Sequence, residues 1–137
     1  MVTLEIRTDK AEQVTDITDR VAAVVRENKQ KNGAVLVFCP HTTAGVTINE
    51  HADPAVMADM QDALRRLVPK DDRFRHSEGN SHAHARALLT GSSVTVIVED
   101  GKMQLGTWQG IFFMEYDGPR QRQIFVQILR GNDEPIK

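Results

Sequence analysis

Apolar and polar residues alternate with a period of two along much of this chain, which commits much of it to half-buried β-strands. Val2-Thr3-Leu4-Glu5-Ile6-Arg7 sets Leu4 and Ile6 on one face, with Thr3, Glu5 and Arg7 on the other. Ser93-Val94-Thr95-Val96-Ile97-Val98 alternates again, turns at Glu99-Asp100-Gly101, and continues through Met103–Leu105, Gly110–Glu115 and Gln121–Leu129. Strands joined by turns this short predict an antiparallel C-terminal half.

The other elements follow from different periods. Ile17, Val21, Val24 and Val25 recur at helical spacing after good capping residues, so a helix runs from Asp16 or Thr18 to Asn28 and ends before Asn32-Gly33. Ala34–Cys39 reads as a buried strand and Gly45–Asn49 as a second one beside it, with His41-Thr42-Thr43 in the connection. Asp53 caps a second helix with Pro54 in its first turn and Val56, Met60, Ala63, Leu64 and Leu67 as its inner stripe, closed by Pro69. Lys70–Asn80 is a polar loop, and a short helix over Ala83–Leu89 stops at Thr90-Gly91. The sum is one α+β domain over residues 1–137, an antiparallel-rich β-sandwich of about seven strands with two or three helices.

Charge and composition narrow the function classes. Seventeen Lys plus Arg against nineteen Asp plus Glu give a net charge of -2, which provides no field for holding a polyanion and excludes nucleic acid as the main partner. The longest apolar runs are far too short for a membrane span, and the N-terminus opens on a strand pattern instead of a secretory signal, so a cytoplasmic protein is expected. A single cysteine, Cys39, cannot form an internal disulfide, and its setting in Val35-Leu36-Val37-Phe38 marks it as a small buried hydrophobe.

All five histidines lie between His41 and His84, each near a carboxylate, hydroxyl or amide that can orient its ring. Imidazole transfers protons near neutrality and binds transition metals, so this clustering marks a chemical site. His41-Thr42-Thr43 brings an imidazole and two hydroxyls to one turn, where they can cradle an oxyanion; the bland alternative is a Thr-capped turn. Asn49-Glu50-His51 ends the next strand, with Glu50 as a base or an orienting carboxylate and His51 as a surface residue. His82 and His84 share a face on a strand but diverge by roughly 200° at a helix start, so both are not taken as ligands. His41, His76 and His84 form the preferred metal set, with zinc or another transition metal favoured by the imidazoles and His82 in reserve. Trp108 between Gly106 and Gly110 offers a flat stacking surface, or else fills the core of a hairpin. Arg120 and Arg122 can grip a phosphate.

These blocks together resemble the YjbQ-like family, also called the secondary thiamine-phosphate synthase family. The resemblance rests on His41-Thr42-Thr43-Ala44-Gly45 through Asn49-Glu50, Asp53-Pro54, His76 through Glu78-Gly79-Asn80 to Ala83-His84, Ser93-Val94-Thr95-Val96 with Gly101, Leu105-Gly106-Thr107-Trp108-Gln109, and Glu115-Tyr116-Asp117-Gly118-Pro119-Arg120. It implies an α+β sandwich assembled as a homotrimer. It also implies a weak transferase activity joining a hydroxymethylpyrimidine diphosphate to a thiazole phosphate, giving thiamine phosphate and pyrophosphate. Fitted to that chemistry, His41, Glu50 and His84 are the catalytic candidates. Thr42, Thr43, Asn49, Thr107, Trp108, Gln109 and Arg120 are the substrate-binding candidates, and a divalent ion, magnesium or the transition metal held by His41, His76 and His84, offsets the diphosphate charge. The alternatives are a metal-assisted hydrolase of a small phosphorylated or ester substrate and a noncatalytic trimeric module binding a small anionic metabolite.

Overall fold

Eight strands and three helices appear in the computed structural model, which describes residues 1–71 and 73–132. In chain order these are β1 (Val2–Arg7), β2 (Gln13–Asp16), α1 (Thr18–Glu27), β3 (Gly33–Phe38), β4 (Ala44–Glu50), α2 (Pro54–Leu67), α3 (Ser81–Thr90), β5 (Ser93–Glu99), β6 (Lys102–Met103), β7 (Gln109–Glu115) and β8 (Gln121–Arg130). They form a five-stranded sheet, ordered β1-β8-β3-β5-β6, and a three-stranded sheet, ordered β2-β7-β4, with the pairings antiparallel. The α+β class and the antiparallel pairing are as expected from the alternation. Short β2 is an addition, since Val14 alone between polar neighbours carries no period.

The two sheets share one core. Ile6, Val35, Val37, Val96, Val98, Ile124 and Val126 of the larger sheet pack with Ala44, Val46, Ile111 and Phe113 of the smaller one and with Val21, Val24 and Val25 of α1. A second cluster lies on the other face of the smaller sheet, where Phe112, Met114 and Tyr116 meet Met57 of α2 and Ala83 and Ala87 of α3. Strand β7 is therefore covered on both faces, which is why Ile111-Phe112-Phe113-Met114 is continuously apolar instead of alternating.

Two expectations need correction. β3 and β4 do not lie beside each other: β3 pairs with β5 and β8, β4 pairs with β7, and the chain crosses between sheets through Pro40–Thr43. Alternation fixes which residues face inward but not which sheet a strand joins. The inner stripe of α2 is also misassigned. Met57 is the buried residue of that helix, whereas Met60 is 38% and Leu67 is 70% exposed, because α2 touches the sheet along only part of its apolar face.

Gly45 sets the distance between α3 and the smaller sheet. A Cβ there would lie 2.7 Å from the Gly91 carbonyl oxygen and 2.8 Å from Thr90 Cγ2, and the Val46 N–H donates to the same carbonyl at 3.1 Å. Gly45→Ala should therefore push the end of α3 off β4 and destabilise the chain by about 1–3 kcal/mol in urea unfolding. An unchanged unfolding midpoint would mean that α3 is not clamped there.

Candidate functional site

Three connections converge at one end of the smaller sheet: the β3–β4 turn, the start of α3 with the segment before it, and the β7–β8 turn. They enclose an open polar cleft of ≈ 480 Å³ lined by His41, His76, His84, Asn80, Arg120 and Arg122, among others. Thr42, Thr43, Glu78 and Asp117 complete its polar wall.

His41 takes the place of a missing strand residue. The β3–β8 register would bring Pro40 opposite Gln123, but proline has no N–H to offer. Instead the His41 ring lies against the Gln123 backbone, with Nε2 2.9 Å from the N–H and 3.2 Å from the carbonyl oxygen. Nε2 accepts from the N–H while Nδ1 carries the proton, or it donates to the carbonyl and frees the Nδ1 lone pair. Burial, and then the nearby Arg122 guanidinium, hold its pKa below the ordinary value of 6.5. A histidine depressed in the folded state binds its proton first in the unfolded chain, so stability contributed by neutral His41 is complete above 6.5 and declines as pH falls through that value toward the folded pKa. His41→Gln should flatten this part of the stability profile, read by urea unfolding between about pH 7.5 and 5.5. An identical slope in wild type and variant would contradict the burial effect.

Helix α3 separates its two histidines. His84 faces the cleft and meets His76 edge to face, with ring centroids 5.6 Å apart and planes at 81°. His82 is not part of the cleft wall, and its Nδ1 is buried with no partner among the described residues. Glu78 Oε2 lies 3.9 Å from His76 Nε2. No three His, Cys, Asp or Glu side chains among the described residues stand close enough together to hold a metal ion. His76 and His84 make a two-imidazole pair, and His41 turns its Nε2 to the Gln123 backbone.

The cations of the cleft are anchored from below. Arg122, only 4% exposed, donates from Nε to Glu115 Oε1 at 2.9 Å, from Nη2 to Glu115 Oε2, and from Nη2 to the Thr43 hydroxyl at 2.9 Å. Glu115 also accepts from the Thr8 hydroxyl at 2.7 Å and the Asp117 N–H at 3.1 Å. Burial alone would raise the Glu115 pKa, but these donors, Arg122 foremost, hold it below the usual carboxylate value. Arg120 is half-exposed and donates to the Asp117 carbonyl at 2.8 Å and to its carboxylate at 3.0 Å. Asn80 donates to the same carboxylate at 2.8 Å, leaving its buried Oδ1 without a partner among the described residues.

The other candidates lie elsewhere. β4 carries Asn49 and Glu50 five and six residues beyond Ala44, roughly 20 Å from the His41 turn. Gln109 pairs with Glu50 at that far end, and Trp108 beside it is 63% exposed, so it does not fill the core. Thr42 is exposed at the cleft, while Thr43 is buried and occupied with Arg122. The expected site thus divides into a histidine–arginine cleft and a distant group containing Asn49, Glu50, Thr107, Trp108 and Gln109. Asn80, Asp117 and Glu115 were not singled out from sequence, and their signals differ. Arg122 is in phase with buried Ile124 and Val126, and Glu115 with Ile111 and Phe113, a pattern that announces a buried ion pair. Asn80 and Asp117 carry no comparable pattern.

The sequence pattern of the UPF0047 protein YjbQ-like family matches residues 2–131. The chain belongs to this family. A UPF0047 protein of Methanocaldococcus jannaschii is 50% identical over 125 residues, covering 91% of each chain. UPF0047 protein YugU of Bacillus subtilis is 47% identical over 128 residues, covering 93% of this chain and 97% of its own. A YjbQ/UPF0047 crystal structure from Clostridium acetobutylicum superposes with a TM-score of 0.92 at 50% identity, covering 94% of this chain and 100% of that one. A structure from Sulfolobus solfataricus, described as a protein of unknown function, superposes with a TM-score of 0.91 at 34% identity, covering 95% and 96%. Among the described residues of this YjbQ-like chain, no helix is long and apolar enough to cross a membrane.

Proposed function

We propose that the cleft binds the phosphoryl end of a small phosphorylated metabolite in the cytoplasm and catalyses displacement of pyrophosphate, the transferase chemistry that joins a pyrimidine diphosphate to a thiazole phosphate. One observation carries the proposal: His41, His76 and His84 share a single polar cleft with Arg120 and Arg122. In such a displacement a carbon–oxygen bond to diphosphate breaks as a carbon–nitrogen bond to the thiazole forms. The departing diphosphate gains charge that guanidinium and imidazole N–H donors stabilise. His84 is the proton donor for the leaving oxygen, and Thr42 and Arg120 hold its terminal phosphate.

Charge balance determines how the anion arrives. Arg122 is already matched by Glu115 and Arg120 by Asp117, so neither guanidinium is an uncompensated charge. A diphosphate therefore enters as its complex with a divalent ion, such as magnesium, which belongs to the substrate and needs no preformed histidine centre. The distant Trp108 group reaches this chemistry only from another copy of the chain. A homotrimer is supported by the outer face of the larger sheet, where Phe38 is 40%, Ile97 66% and Leu129 44% exposed and Phe38 stacks on Phe125 with centroids 6.4 Å apart. Light scattering should give three times the mass of one chain; a monomer would exclude completion by a neighbour.

Pyrophosphate release from the two substrates with magnesium, compared in the wild type and Arg120→Ala, tests the reading directly. Release that falls at least ~10-fold in the variant supports it. No release above buffer, with pyrophosphate still binding by calorimetry, would support the noncatalytic anion-binding module instead.

A further inference from the structure

Within one copy of the chain, Glu50 and His51 lie away from the histidine–arginine cleft and border a pocket of their own, ≈ 290 Å³ in volume, between the end of β4, α2 and the β2–β7 pair. His51 is fixed there from several directions. Its backbone N–H donates to the Trp108 carbonyl at 2.9 Å, and its ring lies on Gly110 so closely that a Cβ there would be 2.6 Å from Nδ1. Nδ1 stands 3.1 Å from Asp16 Oδ2. Asp16 Oδ1 accepts from the Thr18 N–H at 2.9 Å and from the Thr18 hydroxyl, which in turn accepts from the Ile111 N–H at 2.8 Å. Burial alone would raise the Asp16 pKa, but the Thr18 donors and His51 hold it below its ordinary value, so the carboxylate is ionised at neutral pH and can only accept. Nδ1 therefore carries the proton and Nε2 presents its lone pair.

A casual surface contact between histidine and aspartate needs neither a glycine beneath the ring nor a hydroxyl locking the carboxylate to a strand backbone. The arrangement is an imidazole oriented by a carboxylate that is itself oriented, the logic of an activated nucleophile. Val14, Met57, Ala58 and Phe112 give the pocket an apolar wall, and Gln61 adds a carboxamide N–H. That combination suits a short acyl group whose carbonyl oxygen needs a donor.

We propose that this is a second site, in which His51 accepts short acyl groups from small carboxylic esters or thioesters. Nε2 attacks the carbonyl carbon and forms a C–N bond; the C–O or C–S bond breaks and the leaving alkoxide, phenolate or thiolate departs with its electron pair. The acyl-imidazolium keeps its Nδ1 proton against Asp16. Water then adds to the acyl carbon, and the C–N bond breaks with its electron pair returning to Nε2. Water's two protons leave, one going to the departed alkoxide or thiolate and one released with the carboxylate, so that ester plus water becomes carboxylate, a proton and the alcohol or thiol. Asp16 is the positioning residue.

The test uses p-nitrophenyl acetate with the full chain, following p-nitrophenolate release and mapping the trapped acetyl group by mass spectrometry after acid quench. His51→Gln should lower the release rate at least ~10-fold, Asp16→Asn should lower it in the same direction, and the wild type should carry the acetyl group on His51. A loss in His51→Gln smaller than that, or an acetyl group found on other histidines instead, overturns the proposal. The adduct map is made on the wild type, so it stands even where a variant folds poorly. No phosphate is involved, so failure here leaves the cleft reading unaffected and failure of the cleft reading leaves this one intact.

Discussion

Replacing Glu115 by glutamine should cost about 3–5 kcal/mol of unfolding free energy, because it strands the Arg122 guanidinium in the interior. Arg122 is 4% exposed and Glu115 is 1% exposed, so neither charge can turn to water once its partner is gone. Arg122→Met should cost a comparable amount by leaving the carboxylate unpaired. The double variant should cost well under the sum, since two neutral side chains leave no buried charge uncompensated. Urea unfolding of the four proteins measures the coupling, and additive losses would show that the pair is not mutually dependent. The acid limb gives a second readout. Glu115 has a folded pKa below its ordinary value of 4.5, so the unfolded carboxyl protonates first, and the stability it supplies above that value is lost as pH falls through the folded pKa. Glu115→Gln should remove that component and flatten the loss of stability in acid. The same substitution should weaken anion binding in the cleft, because the Glu115 carboxylate is what aims Arg122 toward Thr43 and the His41 turn.

The alternation that makes β1, β5 and β8 readable is a statement about faces, and it holds where one face is buried. It could not say that β3 and β4 belong to different sheets, because both strands read the same whether or not they pair. Helix α2 illustrates a related limit: its apolar stripe is real, but Leu67 is left outside because the helix covers the sheet only near Met57. Among the site candidates, spacing on a helix separated His84 from His82, and the structure puts His41, His76 and His84 in one cleft. Glu50 and His41, both catalytic candidates, are nine positions apart in the chain. Most of that separation is extended strand, which carries the two residues to opposite ends of β4. The Arg122–Glu115 pair was readable in principle, since each charge falls in phase with buried apolar residues, whereas Asn80 gives no periodic warning of its buried carboxamide.

His84→Ala separates catalysis from binding in the cleft. His84 sits on α3 with its ring against His76, and its backbone N–H donates to the Asn80 carbonyl at 3.3 Å, so removing the side chain leaves the helix start and the arginine anchors in place. If His84 gives a proton to the departing diphosphate, turnover should fall by about 10²–10⁴-fold, the usual contribution of a positioned general acid. The dissociation constant for pyrophosphate with magnesium should change only severalfold, because Arg120, Arg122 and Thr42 still hold the anion. A parallel loss of binding and turnover would instead make His84 a contact of the ground state, and unchanged turnover would remove it from the chemistry altogether. His84→Gln sharpens the distinction, since a carboxamide retains an N–H donor but cannot deliver a proton at neutral pH. Restored binding without restored turnover in that variant identifies proton transfer as what the imidazole supplies, and restoration of both reduces it to a hydrogen-bond donor.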